Sequence, residues 1–431
     1  MRVALACILL VLILNHPVEA ADRQPLSLAG GVYDDEVTAY GPIVPLVPSS
    51  PQRPSDVNPY APLGIPVGSM VAFPAVALGT IVRDNVEQSM DGGMAAGVRL
   101  APRLDLESEW PRHGFRLAAA GEAVFYPEQS GYGEIVGRTD SRLRLDIRRG
   151  TEAEFTFAAS RTDVPAGFDE VPGDAERDRI DRSLDGGVEL THAPGLIRLH
   201  AKASVERQLF GDVALSAGGS EDNGDRDYAE YDQGVEAGYE GTGLRPFVGI
   251  TARQRIHDAH RDRSGLERDS HGIGVHGGLA LPPGGLWSGR VALTYDWMDY
   301  EDDALPDHSG PGLAVDLNWR PSLLTLVSFR LASDFAESAA AGTSGYRTHS
   351  LDVAVSHEAR ENLTLDGELE TEWARSIGPG DDSTSWRLRL AATYKFNRML
   401  GWSTVYEFAT ERSGGDAYTE NRLMTGLEIT P

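Results

Sequence analysis

The sequence predicts an all-β chain that closes into a transmembrane antiparallel up-and-down β-barrel of about 18 strands, with 16 as the fallback count. Three observations carry this. Apolar and polar residues alternate with period two along segment after segment, as successive strand residues point to opposite faces. The segments are joined by connections that are alternately short and long. Beyond the N-terminus no stretch approaches the ~20 apolar residues of a membrane helix. Integral contact with lipid therefore falls to strands closed on themselves, which also satisfy every backbone group.

The 431 residues are 41% hydrophobic and 24% charged, enough chain for one large barrel and too polar for a helical membrane bundle. The balance is 39 basic against 65 acidic residues, a net charge of −26. A field of that sign repels phosphates and excludes a nucleic-acid partner.

In chain order, Met1-Arg2 precedes the apolar run Val3–Leu14, and Val18-Glu19-Ala20 offers a small-residue cleavage site. Residues 1–20 read as a secretory signal peptide, because the run is too short for a membrane span. Cys7, the only cysteine, goes with it, leaving no thiol or disulfide in the mature chain. Residues 21–68 read as a Pro-rich periplasmic leader. Its run Pro42-Ile43-Val44-Pro45-Leu46-Val47-Pro48 suits neither helix nor central strand, since proline lacks the donor.

The barrel is expected over residues 69–431, in alternating segments of about 10–14 residues. Short turns are predicted at 149–151, 192–195, 240–243, 282–285, 320–322, 358–361 and 397–399. Long polar connections are predicted at 163–179, 210–227, 258–270, 301–311, 337–348 and 376–383. A transmembrane meander sorts its periplasmic turns and external loops in this way, with both termini on the turn side. The stretch Ser385–Phe396 shows the pattern at its cleanest. Trp386, Leu388, Leu390, Ala392, Tyr394 and Phe396 share one face; Arg387, Arg389, Ala391, Thr393 and Lys395 share the other. Trp386 and Phe396 are ten residues apart on one face, as are Trp287 and Trp297. At ~3.3 Å per residue and a tilt of about 45°, that is roughly 23 Å of membrane normal, the height of an apolar band between two aromatic girdles.

Candidate functional residues lie on the opposite, lumen-lining face. Arg142, Arg144, Arg148, Arg198, Lys202, Arg253 and Arg255 come from the N-terminal half, and Asp366, Glu368, Glu370 and Glu372 from the C-terminal half, with Arg387 and Arg389 on the following strand. Rolled into a cylinder they give a more basic and a more acidic side. Two readings stand: the charges pair across strands, or they meet a solute. About 18 strands enclose an aqueous channel unless something plugs it, and the inward residues are too polar for a dry core.

The chain carries no pattern for chemistry. Ser344 with His349, and Ser356 with His357, lack a third partner and an elbow motif. Asp222-Asn223-Gly224-Asp225-Arg226-Asp227 lacks the spacing and closing Glu of a calcium loop. His257, His260, His271 and His276 do not match a zinc site. No enzyme, cofactor or metal is expected.

The stretch Asn58-Pro59-Tyr60-Ala61-Pro62-Leu63-Gly64-Ile65-Pro66-Val67-Gly68-Ser69, followed by Phe73-Pro74 and Asp84-Asn85-Val86, resembles the start of an outer-membrane β-barrel porin family of Gram-negative bacteria. Arg83 stands where that pattern has Asp. The resemblance runs from residue 58 to the end and implies an outer-membrane location. It also implies outer-membrane lipid and the barrel-insertion machinery as partners, and a link in some members to exopolysaccharide. Inward arginines on an 18-stranded barrel resemble alginate-type exporters by architecture alone. Outer-membrane barrels commonly end on an aromatic residue, whereas this chain ends Leu427-Glu428-Ile429-Thr430-Pro431. The expectation is a channel or export conduit for hydrophilic solutes, with exopolysaccharide as a candidate cargo. The alternative is a closed structural or surface-adhesion barrel with acidic external loops.

Overall fold

The computed structural model describes residues 58–86, 88, 92–128, 133–164, 175, 178–338, 344–378, 380–414 and 416–431. The expected signal peptide and the expected leader through residue 57 lie outside these. A short strand β1 (Ile65–Val67) precedes β2 (Met70–Arg83), β3 (Ala95–Ser108), β4 (Gly114–Phe125), β5 (Glu134–Arg148), β6 (Thr151–Val164), β7 (Arg179–His192) and β8 (Ile197–Leu209). The two-residue strands β9 (Val213–Ala214) and β10 (Ser220–Glu221) form a small hairpin in the loop that follows β8. Then come β11 (Tyr228–Tyr239), β12 (Arg245–His257), β13 (Ser270–Leu281), β14 (Trp287–Tyr300), β15 (His308–Ser322) and β16 (Thr325–Glu337). The last five are β17 (Gly345–Arg360), β18 (Leu363–Ile377), β19 (Ser383–Lys395), β20 (Leu400–Ser413) and β21 (Asp416–Ile429).

Consecutive wall strands pair antiparallel, and β21 returns to β2 from Val76↔Ile429 to Arg83↔Arg422. The barrel is thus closed by the eighteen strands β2–β8 and β11–β21, as the alternation predicted. At the seam Gly79 faces Gly426. A Cβ on Gly79 would stand 2.3 Å from the Thr425 carbonyl oxygen, so the closing strands meet where neither carries a side chain. Below the seam, where β21 has ended, β1 takes its place beside β2 from Ile65↔Ala72 to Val67↔Met70.

The wall alternates as its sequence does. Leu365, Trp373, Trp386 and Leu390 are exposed on the outer face, where lipid replaces water as their surroundings. Aromatic residues of that face group across strands: Trp287 stacks on Trp319 at 5.6 Å and lies 6.2 Å from Phe329, and Trp373 meets Trp386 edge-on at 5.8 Å.

Eight turns join the strands at the N-terminal end, from 109–113 round to 396–399, each two to five residues long. Two differ from expectation. β15 runs on through Arg320-Pro321-Ser322 after a register shift, so its turn is Leu323-Leu324. β17 likewise continues to Arg360 past a shift at Glu358, leaving Glu361-Asn362 as the turn. At the opposite end the connections 210–227 and 258–269 are long, but the last, 414–415, is as short as a turn. The length alternation is therefore a tendency of the earlier hairpins.

One hairpin leaves the wall. The β15–β16 ladder runs up to Leu313↔Ser333 and stops there. Yet β14–β15 pairing continues to Met298↔His308, and β16–β17 pairing to Glu337↔Gly345. Pro311, which has no N–H for a ladder, lies in the part of β15 that β16 has left. The described ends of this hairpin, Glu337 at the end of β16, Ser338 after it and Ser344 before β17, called the tip below, face inward instead. The Ser270 hydroxyl of β13 donates to Glu337 at 2.8 Å, Arg255 of β12 lies 3.7 Å from Glu337, and the Tyr300 hydroxyl of β14 donates to the Ser344 carbonyl at 2.6 Å. Arg268, in the 258–269 loop, donates to the Ser338 carbonyl. These partners stand two to four strands away from the tip, a reach available only across the interior.

Candidate functional site

The interior face is set by register. On β18, Asp366, Glu368, Glu370 and Glu372 alternate with the outward Leu365 and Trp373. Register places Arg389 between Glu368 and Glu407, and Arg387 opposite Glu370, whose carboxylate it contacts at 2.8 Å. Asp366 faces Ala391 on one side and Ser356 on the other; Glu372 faces Ser385 and Ser350. The middle of the acidic column, Glu368 and Glu370, thus has cations on the β19 side and Ala354 and Asp352 on the β17 side, while its two ends face serines on β17.

The N-terminal cations are interleaved with carboxylates that the sequence reading did not single out. Arg142 pairs with Glu154 at 3.0 Å, and Arg144 sits 3.5 Å from Asp146 and 3.8 Å from Glu152. Arg198 contacts Glu236 at 2.6 Å and Glu240 at 3.0 Å. Arg253 lies 3.3 Å from both Glu230 and Asp232. Arg255 pairs with Glu230 at 2.9 Å, with its guanidinium 4.0 Å over the Tyr228 ring. Lys202 lies over Gly234, its Cγ and Cε 3.4 Å from where a Cβ would stand. The expected basic side is therefore a mixed wall. The signal was present in the parity of Glu152, Glu154, Glu189, Glu230, Asp232 and Glu236, which share the inward rows.

Arg148 departs from these rows. A register shift between Asp146 and Arg148 pairs it with Thr151, which bonds His192 on the outward row. Arg148 is exposed at the turn rim, where its Nε donates to Thr151 Oγ1 at 3.2 Å. A one-residue shift moves a side chain to the other face, which strict alternation could not anticipate.

Near the loop end the interior tightens. Arg83, 1% exposed, bonds both Glu134 of β5 and Glu420 of β21, with Arg422 3.6 Å from Glu420. Ile81, Val86, Val124, Tyr126 and Met424 pack beside them. This cluster and the β16–β17 tip narrow the mouth from different arcs of the wall.

Other candidates resolve differently. Ser344 is buried in the tip, whereas His349 is exposed; Ser356 is buried facing inward, and its neighbour His357 takes the other face. The calcium-like loop holds a guanidinium. Arg263 donates to Asp225 at 2.7 Å, to the Asp222 carbonyl and Asn223 Oδ1 at 2.9 Å each, and also bonds Glu221. Those hydrogen bonds hold the Asp225 carboxyl below the usual aspartate range. Among the described residues, Asp352, Glu368 and Glu370 bring three carboxylates within 4.8 Å. Arg330 lies 3.7 Å from Asp352 and Arg387 2.8 Å from Glu370, so guanidiniums occupy the place of a counter-ion.

The family profile described as Putative beta-barrel porin 2 matches residues 58–430. A search of the curated proteins returned no match. Among solved structures the chain is similar to a BenF-like porin from Pseudomonas fluorescens Pf-5, at 12% identity over 85% of this chain and 100% of that one, with a TM-score of 0.42. It is also similar to OccK2 (OpdF) of Pseudomonas aeruginosa, at 13% identity over 83% and 98%, TM-score 0.41. A third is OccAB3 of Acinetobacter baumannii, at 11% over 85% and 100%, TM-score 0.39. Similarities that remote carry no argument here; the strand count rests on this chain's own ladder.

Proposed function

We infer that the chain, which belongs to the Putative beta-barrel porin 2 family and resides in the Gram-negative outer membrane, is a passive channel for hydrophilic solutes. The observation that carries this is the interior face: eighteen strands enclose rows of charged side chains that are half-exposed near the turns, which calls for water in the lumen. Arg142, Arg144, Arg198, Lys202, Arg253, Arg255, Asp366, Glu368, Glu370, Glu372, Arg387 and Arg389 are assigned as lining of that path, acting as hydrogen-bonding and charged wall rather than as reagents. Exopolysaccharide is a cargo of the chemical class such a wall accepts, delivered outward through a chain exported by its signal peptide. Liposomes carrying the purified chain should swell in isotonic solutions of small sugars at a rate that falls with solute size. Swelling no faster than protein-free liposomes would overturn the channel. Loss of secreted polysaccharide on deletion, restored by the intact gene, would support the polysaccharide cargo; unchanged secretion would remove it.

A further inference from the structure

The inward tip does more than narrow the mouth. Beneath it lies a cavity of about 70 Å³, bounded by β11–β16, with room for about five waters or one sugar-sized solute. Its floor includes Gly272 and Gly274, and Gly312 directly precedes Leu313 of its wall. A Cβ at Gly274 would stand 2.3 Å from Asp296 Oδ1 and 2.7 Å from Thr251 Oγ1, and one at Gly312 would stand 2.2 Å from Thr294 Oγ1. The space over these backbones is therefore filled by polar groups of neighbouring strands that are fixed against them. The Thr294 hydroxyl donates to Asp296 at 3.0 Å. The roof is Asp334 and Phe335 from the displaced part of β16; the Phe335 ring stacks on His308 at 4.6 Å.

The carboxylates of the cavity differ in what holds them. Asp232 is matched by Arg253 at 3.3 Å. Asp334 accepts the Phe335 backbone N–H at 2.7 Å, and among the described residues neither Asp296 nor Asp334 has an ion pair within 4.0 Å. The next cation is Arg347, whose Nη1 lies 3.4 Å from His308 Nε2. Asp296 and Asp334 thus face the cavity with no described cation in contact, whereas Asp232 shares Arg253 with Glu230. The Thr251 and Thr294 hydroxyls add neutral hydrogen-bonding groups to the same walls.

We propose that this cavity is the solute-selecting site of the channel and takes a small hydroxylated solute carrying one positive charge. The ammonium sits between Asp296 and Asp334, where it supplies the cation that neither carboxylate has in contact, and the hydroxyls meet Thr251, Thr294 and the Asp232–Arg253 pair. The tip, pinned by Glu337 on Arg255 and Ser270, forces a passing solute against this wall. The proposal rests on the channel reading above for its meaning, not for its test.

Isothermal titration calorimetry on the full folded chain in detergent needs no open pore. Glucosamine, glucose and glucuronate serve as probes of one size and three charges. Glucosamine is expected to bind roughly tenfold more tightly than glucose, the contribution of one charge-assisted hydrogen bond, and glucuronate more weakly than either. In the double variant Asp296→Asn, Asp334→Asn that preference should vanish. Should the double variant fail to fold, judged by heat-modifiable migration, Gly274→Ala is the substitute, since its methyl displaces Asp296 along with Thr251 and should weaken glucosamine more than glucose. Equal binding of the three probes, tightest binding of glucuronate, or a double variant that keeps the preference would overturn the assignment. A barrel that passes sugars in liposomes but shows no glucosamine preference loses only this site; one that binds glucosamine but never swells loses only the channel.

Discussion

The same chemical pair behaves differently at the two ends of the barrel interior. Around Arg144, near the turns, guanidinium and carboxylates are roughly half exposed: Arg144 is 48% exposed, Glu152 43%. Around Arg83, near the loops, Arg83 is 1% and Glu420 2% exposed. Water screens the first group, so those ion pairs contribute little and their charges face the lumen. The second group is cut off from water, so its members depend on each other and none can be removed without stranding a charge. On this arc of the wall the interior is thus a wet vestibule at the turn end and a packed collar at the loop end, whereas on the β11–β14 arc the turn half holds the buried Arg290–Glu236 pair, at 10% and 5% exposure.

The contrast can be broken by substitution. The largest effect is expected for Arg83→Met, which leaves Glu134 buried without its cation and Glu420 with Arg422 alone, 3.6 Å away, and should cost about 3–5 kcal/mol, read by denaturant unfolding in detergent. A Glu337→Ala variant should cost less, about 1–3 kcal/mol, because Arg255 keeps Glu230 as a partner; it should also loosen the tip and raise the swelling rate for the larger sugars. Arg144→Ala in the vestibule should stay within about 0.5 kcal/mol, and a cost as large as that of Arg83→Met would erase the distinction between the two ends.

The smallest effect concerns the external loops. Because Arg263 depresses the Asp225 pKa, this contact stabilises the folded loops above the ordinary aspartate value of ~3.9 and is lost as pH falls through the lower, folded value. Pepsin nicking of the 210–227 loop should therefore be slow above that value and rise below it. In Asp225→Asn it should be fast and lack this pH dependence.

The wall was legible in the sequence because lipid on one side and water on the other impose a strict period of two. Trp386–Leu390 and the Asp366–Glu372 column needed no more than counting. Three features did not follow from counting. Arg148 changed face because a single register shift intervened. The partners of the N-terminal arginines were in the inward rows, but pairing is a property of neighbouring strands, which lie far apart in the chain for the Arg83–Glu420 contact. The inward tip has no motif, although one trace existed. Phe335 and Glu337 share parity with the outward Phe329 and Leu331, and a glutamate on a lipid-facing row is costly enough to signal that the strand has turned away.

Single-channel recording in planar bilayers tests most directly whether a water-filled path runs through vestibule and collar. Discrete, stepwise conductance from the purified chain, with larger steps in Glu337→Ala, is the predicted result. Bilayers that stay silent with both proteins, although each is shown to be inserted and folded, would contradict it.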